Sequence, residues 1–397
     1  MTQLWRLTLR PHGALHLGAA RLLLLGWRAA REAEARVELF IDDTEAPAPE
    51  VVAGAERDLA WLGLDWDATI RASTIATDEA VAALKQTGRL YPCWEPEAEL
   101  AARRRWRIRR GQNPAYDRSM LKLTAARRDE LMAERAPYWR FKLTDGMAAW
   151  RDLCRGIKPV PMQRVDDPIL LDAAGQASLL LRMVAFDLEA GTTAISAAED
   201  RLTETAAMFD IRAVLAPHLP LPQAAHFPLL PGLEGPALRS LTLHRLRADG
   251  VLPAPLRAYL EGAQKFDMQR LLGANRAALR YLPFADVAAQ LPEGATEDFW
   301  LAVRGHLDLL DEASHWWRVV AGEIDPPEFL NPKLAAAARA LPDNLATAWE
   351  TLQRHAEPAT LRRALTGEDS GPPMETLLPL IGRDRAFSRL MLAAGTP

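Results

Sequence analysis

The chain has 397 residues, of which 49% are hydrophobic and 25% charged, and a formal net charge of -4. That length holds two or three domains, the balance is ordinary for a soluble globular protein, and two cysteines argue against a disulfide framework. The small negative charge excludes a global basic field, so a nucleic acid would have to be held by local patches.

Leu4-Trp5-Arg6-Leu7-Thr8-Leu9-Arg10 alternates and predicts a first strand over 4–10. Pro11 and Gly13 break it, and residues 18–35 carry an amphipathic helical pattern. A strand-to-helix crossing of this kind exposes the N–H groups of a helix start, a natural anion site, with His16 inside the crossing. On those residues alone, an ordinary turn with a surface histidine is the better reading. Arg36 to Ile41 predicts a second strand, ending in Asp42-Asp43-Thr44-Glu45. Acids at the C-terminal end of a parallel strand lie at the ligand crevice of a doubly wound sheet, or else cap a solvated turn. After a Pro-containing turn over 46–49, a helix is expected from Gly54, ended by Gly63.

Arg103 to Arg110 is the most basic stretch, with Trp106 inside it. It reads as a solvated helix face with its stems lying on the surface, or as a phosphate-contacting patch with a stacking platform, and both readings stand. Alternation around Trp139 to Leu143 predicts an inserted α+β piece. Val165 to Leu171 predicts a strand returning to the main sheet, and 202–209 a helix covering it. Pro217 to Pro236 is a Pro-rich link. Beyond it, 254–397 is Ala- and Leu-rich, divided by Gly273, Pro283, Pro292, Pro326, Pro332 and Pro342 into the short helices of a bundle with buried tryptophans. Cys93 and Cys154 lie far apart, which argues for a reducing, cytoplasmic setting. No apolar run reaches membrane-spanning length and no signal-peptide pattern opens the chain, so no membrane is expected.

Pro11 to Arg21, P-x-G-x-L-H-x-G-x-x-R, resembles the nucleotide-binding signature of class I aminoacyl-tRNA synthetases, and most closely that of the glutamyl-tRNA synthetase family. Later segments resemble that family in the same order. Asp42-Asp43-Thr44 resembles its R-I-E-D-T-D, Leu62 to Asp67 its L-G-L-x-W-D, Trp139 to Lys142 its I-R-F-K, and Asp152 to Gly156 its D-L-x-R-G. Ile195 to Arg201 resembles V-I-R-G-E-D-H, and Phe266 to Arg270 resembles F-D-x-x-R. Phe299 to Arg304 and Trp316 to Val320 resemble the helical anticodon-binding region of the bacterial enzymes.

The resemblance implies an α/β fold: a split doubly wound parallel sheet of Rossmann type with an inserted α+β piece, then an all-α C-terminal region. The implied domains are 1–90 and 165–225 for the two halves of the sheet, and 91–164 for an inserted acceptor-arm-type domain. A linker and stem-contact helical region over 226–290 and an anticodon-binding-like domain over 291–397 complete them. It also implies sites. Gly13, His16 and Gly18 would hold ATP with Mg2+, His16 being the residual catalytic signature, with Arg239 the one cation near the place of the mobile lysine loop. Arg6, Asp42 and Glu199 would hold an amino acid. Arg103, Arg104, Arg105 and Arg107 would touch tRNA, the implied partner, with a protein partner as a further candidate. Cys93 stands where some members carry a structural zinc set, but four ligands at short spacing are needed and no second Cys or His lies near, so no zinc is expected.

Several positions that carry the family's chemistry are replaced. Leu179 stands for a Tyr and Met183 for an Asn, and Asp187 alone survives of an acid pair. Ala197 stands for the Arg that grips the substrate's side-chain carboxylate, which removes a bidentate guanidinium contact. Gly232 to Ser240 contains no lysine where K-[ML]-S-K-R belongs, so phosphate stabilisation is reduced. Three functions follow: an active ligase of altered specificity, a paralogue without aminoacylation that binds tRNA or a protein, and an enzyme using charged tRNA or an adenylate for another transfer. The residues favour the second; family membership alone would favour the first.

Overall fold

A computed structural model describes residues 3–233, 240–324 and 331–395. The chain falls into two compact units, Met1–His244 and Arg245–Pro397.

In the first unit β1 (Leu4–Leu9), α1 (Leu17–Glu32), β2 (Arg36–Ile41), α2 (Pro49–Trp61) and β3 (Ala68–Arg71) form right at the start, followed by α3 (Asp78–Gln86). The chain then builds β4 (Leu90–Cys93), α4 (Glu97–Arg109), α5 (Ala125–Glu134), β5 (Tyr138–Phe141), β6 (Met147–Asp152), β7 (Gly156–Pro161) and β8 (Ile169–Leu171). It closes with α6 (Leu179–Glu189), β9 (Ala194–Ala198), α7 (Leu202–Leu215) and β10 (Gln223–Phe227). The main sheet has seven strands in the order β3-β2-β1-β9-β10-β6-β7, parallel from β3 to β6, with β7 turning back antiparallel. β1 lies between β2 and β9 and is largely buried on both faces, with Trp5, Leu7 and Leu9 on one face and the deeply buried Arg6 on the other.

Val165 to Leu171 does not return to the main sheet. Its strand, Ile169–Leu171, pairs antiparallel with β5 in a separate three-stranded sheet, β4-β5-β8. The strand that rejoins the main sheet is β9, pairing Trp5 with Ala194 and Arg6 with Ile195. The inserted piece also gives the main sheet two strands, the β6–β7 hairpin, joined to β10 through Ala224 and Asp152.

Gly26 lies inside α1, where glycine costs about 1 kcal/mol relative to alanine. A Cβ there would sit 2.6 Å from Ser196 Oγ and 2.9 Å from Leu7 Cδ2, so the missing side chain lets α1 lie close on β1 and β9.

The second unit is helical, with a core that includes Phe299, Trp300, Leu334, Leu361, Leu377 and Leu390. Asp267 caps the helix Met268–Leu279, accepting from the Gln269 and Arg270 amides at 2.9 and 3.3 Å. Gly273 was expected to divide helices but lies within this one. The buried Leu271, Asn275 and Leu279 anchor the helix and outweigh the glycine's modest cost. Trp316 is core, and Trp317 packs edge-on against Phe299 with centroids 4.9 Å apart. Gly371 has φ +139, and a Cβ on it would fall 2.1 Å from Trp316 Cη2. Gly371→Ala is therefore expected to destabilise the helical unit by about 1–3 kcal/mol. Urea unfolding followed by tryptophan fluorescence measures this, and an unchanged midpoint would mean that Trp316 turns aside freely.

Candidate functional site

The crossing between β1 and α1 is shaped by a buried Pro11 and by Gly13, whose φ of +152 suits a residue without Cβ. His16 is the N-cap of α1, and its Nδ1 accepts from the Ala19 amide at 3.0 Å. Burial lowers the His16 pKa below the ordinary histidine value, so the ring is neutral at pH 7. The chain around Thr242 returns to this crossing. Leu17 donates to the Leu241 carbonyl at 3.0 Å, and Leu243 donates to the Leu15 carbonyl at 2.9 Å. Two backbone amides at the start of α1, those of Leu17 and Ala19, thus already have partners that a phosphate would have to displace. Gly18 lies half-buried in the same first turn.

Beside the crossing is a cleft of about 340 Å³, lined among others by Arg6, Thr8, His16, Met183, Ala197 and Asp200. Arg6 is fully engaged within the protein. Its Nε and Nη2 hold the two oxygens of Asp187 at 2.8 and 3.0 Å, and its Nη1 donates to Thr8 Oγ1 at 2.5 Å. Both members of the pair are 2% exposed. The cleft's other guanidinium groups are also paired: Arg10 with Glu204 at 2.5 Å, and Arg201 with Glu204 at 3.0 Å. Ala197, Met183, Leu23, Ile195 and Met208 make the rest of the wall largely apolar.

Of Arg6, Asp42 and Glu199, read together from the sequence, only Arg6 lines the larger cleft, although Ala198 and Asp200 on either side of Glu199 line it too. Asp42 borders a second, smaller cleft of about 260 Å³ with His12, Gly13 and Glu45, and its Oδ1 accepts from Thr44 Oγ1 at 2.6 Å. Glu199 is turned to the Arg155 guanidinium, and its other oxygen accepts from the Leu229 amide at 3.1 Å. Arg239 lies outside the described residues.

A buried polar group that the sequence reading did not single out joins three elements here. His226 on β10 is 0% exposed. Its Nδ1 meets Asp152 Oδ2 at 2.5 Å and its Nε2 meets Thr205 Oγ1 at 2.9 Å. Asp152 also accepts from the amides of Cys154, Arg155 and His226 at 3.0, 3.1 and 3.2 Å. Burial raises its pKa, but the hydrogen bonds from His226 and these amides prevail and hold it below the usual aspartate range. The available signal was a histidine within an apolar strand sequence, Gln223 to Phe227, too common a pattern to name a partner.

In the inserted piece, Glu95 gathers a polar knot. It accepts from Tyr116 OH at 3.0 and 3.1 Å and from Ser119 Oγ at 2.5 Å, and Arg103 stands 3.4 Å away. Cys93 Sγ is 3.8 Å from Tyr116 OH, and burial pushes its thiol up to about 12. The thiol is therefore protonated at neutral pH. Among the described residues no group of three or more His, Cys, Asp or Glu is placed to hold a metal. Along α4, Arg103 also pairs with Glu99 at 2.5 Å, Arg104 with Asp166 at 2.9 Å, and Arg107 with Asp117. Arg105 and Arg109 are exposed, and the Arg110 guanidinium lies over the Trp106 ring at 4.3 Å.

No described helix is long and apolar enough to cross a membrane. Residues 5–260 match the family described as tRNA synthetases class I (E and Q), catalytic domain. The chain is 41% identical to the "Glutamate--tRNA ligase 2" of Acidiphilium cryptum, over 97% of this chain and 98% of that protein. It is 38% identical to the protein of the same name from Gluconacetobacter diazotrophicus, over 97% and 98%. The first alignment spans 435 positions, more than the 397 residues of this chain, so that relative carries stretches without a counterpart here. The glutamate-tRNA synthetase structure from Elizabethkingia anophelis shares the fold, with a TM-score of 0.77 at 18% identity and 100% of each chain covered. With the parallel sheet, the P-x-G-x-L-H crossing and these matches along the whole chain, the protein belongs to the glutamyl-tRNA synthetase family of class I synthetases.

Proposed function

We propose that this chain binds tRNA as a synthetase-derived paralogue and does not activate glutamate in the ordinary way. The observation that carries this is the state of the cleft beside His16. Arg6, Arg10 and Arg201 are each committed to a protein carboxylate, position 197 holds alanine, and His16 is neutral at pH 7. Glutamate and ATP are both anions, and the one deeply buried guanidinium of this cleft, Arg6, is already neutralised by Asp187, while Arg10 and Arg201 share Glu204 nearer the surface. The sequence between Gly232 and Ser240 adds no lysine to the phosphate side. Loss of a single charge-stabilising donor costs on the order of two to three decades in rate, and several are missing here.

ATP–pyrophosphate exchange in the presence of glutamate and tRNA tests this. Exchange at least about a hundredfold below that of an active family member is expected. Full exchange would establish the alternative, an active ATP- and Mg2+-dependent glutamate–tRNA ligase, which the full-length relatives bearing that name favour. Thermal shift with ATP separates the two further. A ligand at a hundred times its dissociation constant adds about 2.7 kcal/mol, whereas a closed nucleotide site gives no shift. If neither ATP nor tRNA binds, a protein partner remains as the role.

A further inference from the structure

We propose that the buried guanidinium of Arg212 marks a site for a small monovalent anion of chloride size, where α7 packs on α6 in the neighbourhood of the Arg6–Asp187 pair. The inference is independent of the function proposed above.

The buried arginines among the described residues are Arg6, Arg21, Arg140, Arg212 and Arg389. Four of them are answered by the protein. Arg6 holds Asp187, and Arg21 donates to the Pro228 carbonyl at 2.7 Å. Arg140 donates to the Asp167 carbonyl at 2.5 Å, and Arg389 to the Leu365 and Gly322 carbonyls at 2.7 and 2.8 Å. Arg212 is 6% exposed and donates to no group among the described residues. Its Nε and Nη1 are both withdrawn from the surface. Arginine carries five N–H donors and buried donors are nearly always satisfied, so this exception points to a bound acceptor.

Charge narrows the choice of acceptor. Burial pulls the Arg212 pKa below the ordinary arginine value, yet a guanidinium keeps its proton at neutral pH. Asp187 is the one acid whose charge opposes that shift. Both oxygens of this carboxylate are already held by Arg6, at 2.8 and 3.0 Å. The group thus comprises two guanidinium ions and one carboxylate, an interior excess of one positive charge. A water molecule would accept a hydrogen bond and leave the charge in place, whereas a monovalent anion answers both. The surroundings are apolar, with Val184, Phe186, Met208 and Ile211 buried in one core on the two helices. A phosphate there would bring a second charge and further oxygens with nothing to pair them, so a single-atom ion fits better. An anion beside Arg212 also leaves Asp187 to Arg6. Without it two guanidinium groups compete for one carboxylate, and Arg6 lines the cleft beside His16.

The test is thermal unfolding of the full chain at pH 7 in sodium chloride and in sodium gluconate, at equal ionic strength. With chloride about tenfold above its dissociation constant, the midpoint of the first unit is expected to lie about 3–6 °C higher than in gluconate. Arg212→Leu is expected to unfold at the same temperature in both salts, and Arg212→Gln serves if the leucine variant does not fold. Crystals soaked in bromide locate the ion without any variant, and an anomalous peak beside the Arg212 guanidinium is expected. Equal wild-type midpoints in the two salts would overturn the proposal. So would a chloride increment that persists in Arg212→Leu, or bromide-soaked crystals with no anomalous peak at Arg212, the result expected if water alone hydrates the guanidinium.

Discussion

Arg6→Ala is expected to destabilise the first unit by about 3–5 kcal/mol, because it leaves Asp187 buried without its bidentate partner. Urea denaturation monitored by circular dichroism measures the change. The result also decides what Arg6 does. A residue held ready for a substrate carboxylate would, when removed, weaken ligand binding and leave stability almost intact. A residue neutralising Asp187 shows the opposite pattern. Asp187→Ala should cost still more. The buried Arg212 lies in the field of the same carboxylate and has Nε and Nη1 without hydrogen-bond partners, so losing Asp187 strands two guanidinium groups. Replacing both members of the first pair, Arg6→Met with Asp187→Leu, should recover much of the loss, since a matched apolar pair avoids the desolvation cost. A stable Arg6→Ala protein would show that the pair is dispensable and that the guanidinium is free to serve another role.

Asp152→Ala is the second large effect, about 3–5 kcal/mol, with an acid-dependent signature. The carboxylate serves a fully buried imidazole and three backbone amides at once. Alanine would leave all four donors facing a void that water enters only with difficulty. Because the folded-state pKa of Asp152 is depressed, its contribution is complete above the unfolded value, roughly 4, and disappears as pH falls through the lower folded value. Stability of the wild type should therefore fall on acidification below about pH 4, and part of that fall should be missing in Asp152→Ala. Parallel acid titrations of the two proteins would expose a mistaken assignment if their slopes coincide.

The regular elements near the N-terminus were legible because each follows a local rule. The first two strands alternate or run apolar between breakers, and their observed bounds differ from expectation by at most a residue. α1 ends at Glu32, earlier than its pattern suggested, because Glu34 adopts a left-handed conformation with φ +51. α2 begins at Pro49 and not at Gly54, since proline's fixed φ fits the first turn of a helix. A short apolar run such as Ile169-Leu170-Leu171 announces a strand but not its sheet, which explains the misplaced return strand. The site was less legible for a related reason. Arg6 and Asp187 stand 181 positions apart, and Arg155 and Glu199 stand 44 apart. Sequence pattern shows that a charge exists, but only the fold shows which charge answers it. Residues chosen as open ligands for substrate or RNA therefore included several that the protein had already used.

The position of β1 in the main sheet has a consequence for synthesis. Its second flank is covered by β9, whose first residue, Ala194, is paired with Trp5. A ribosome releases the first strand long before the segment that shields it. Until then one side of a very apolar strand pair stays open to other nascent chains, an invitation to misassembly. Arrested products ending before β9 should accordingly require a holdase or aggregate, whereas those extending past Phe227 should become protease-resistant.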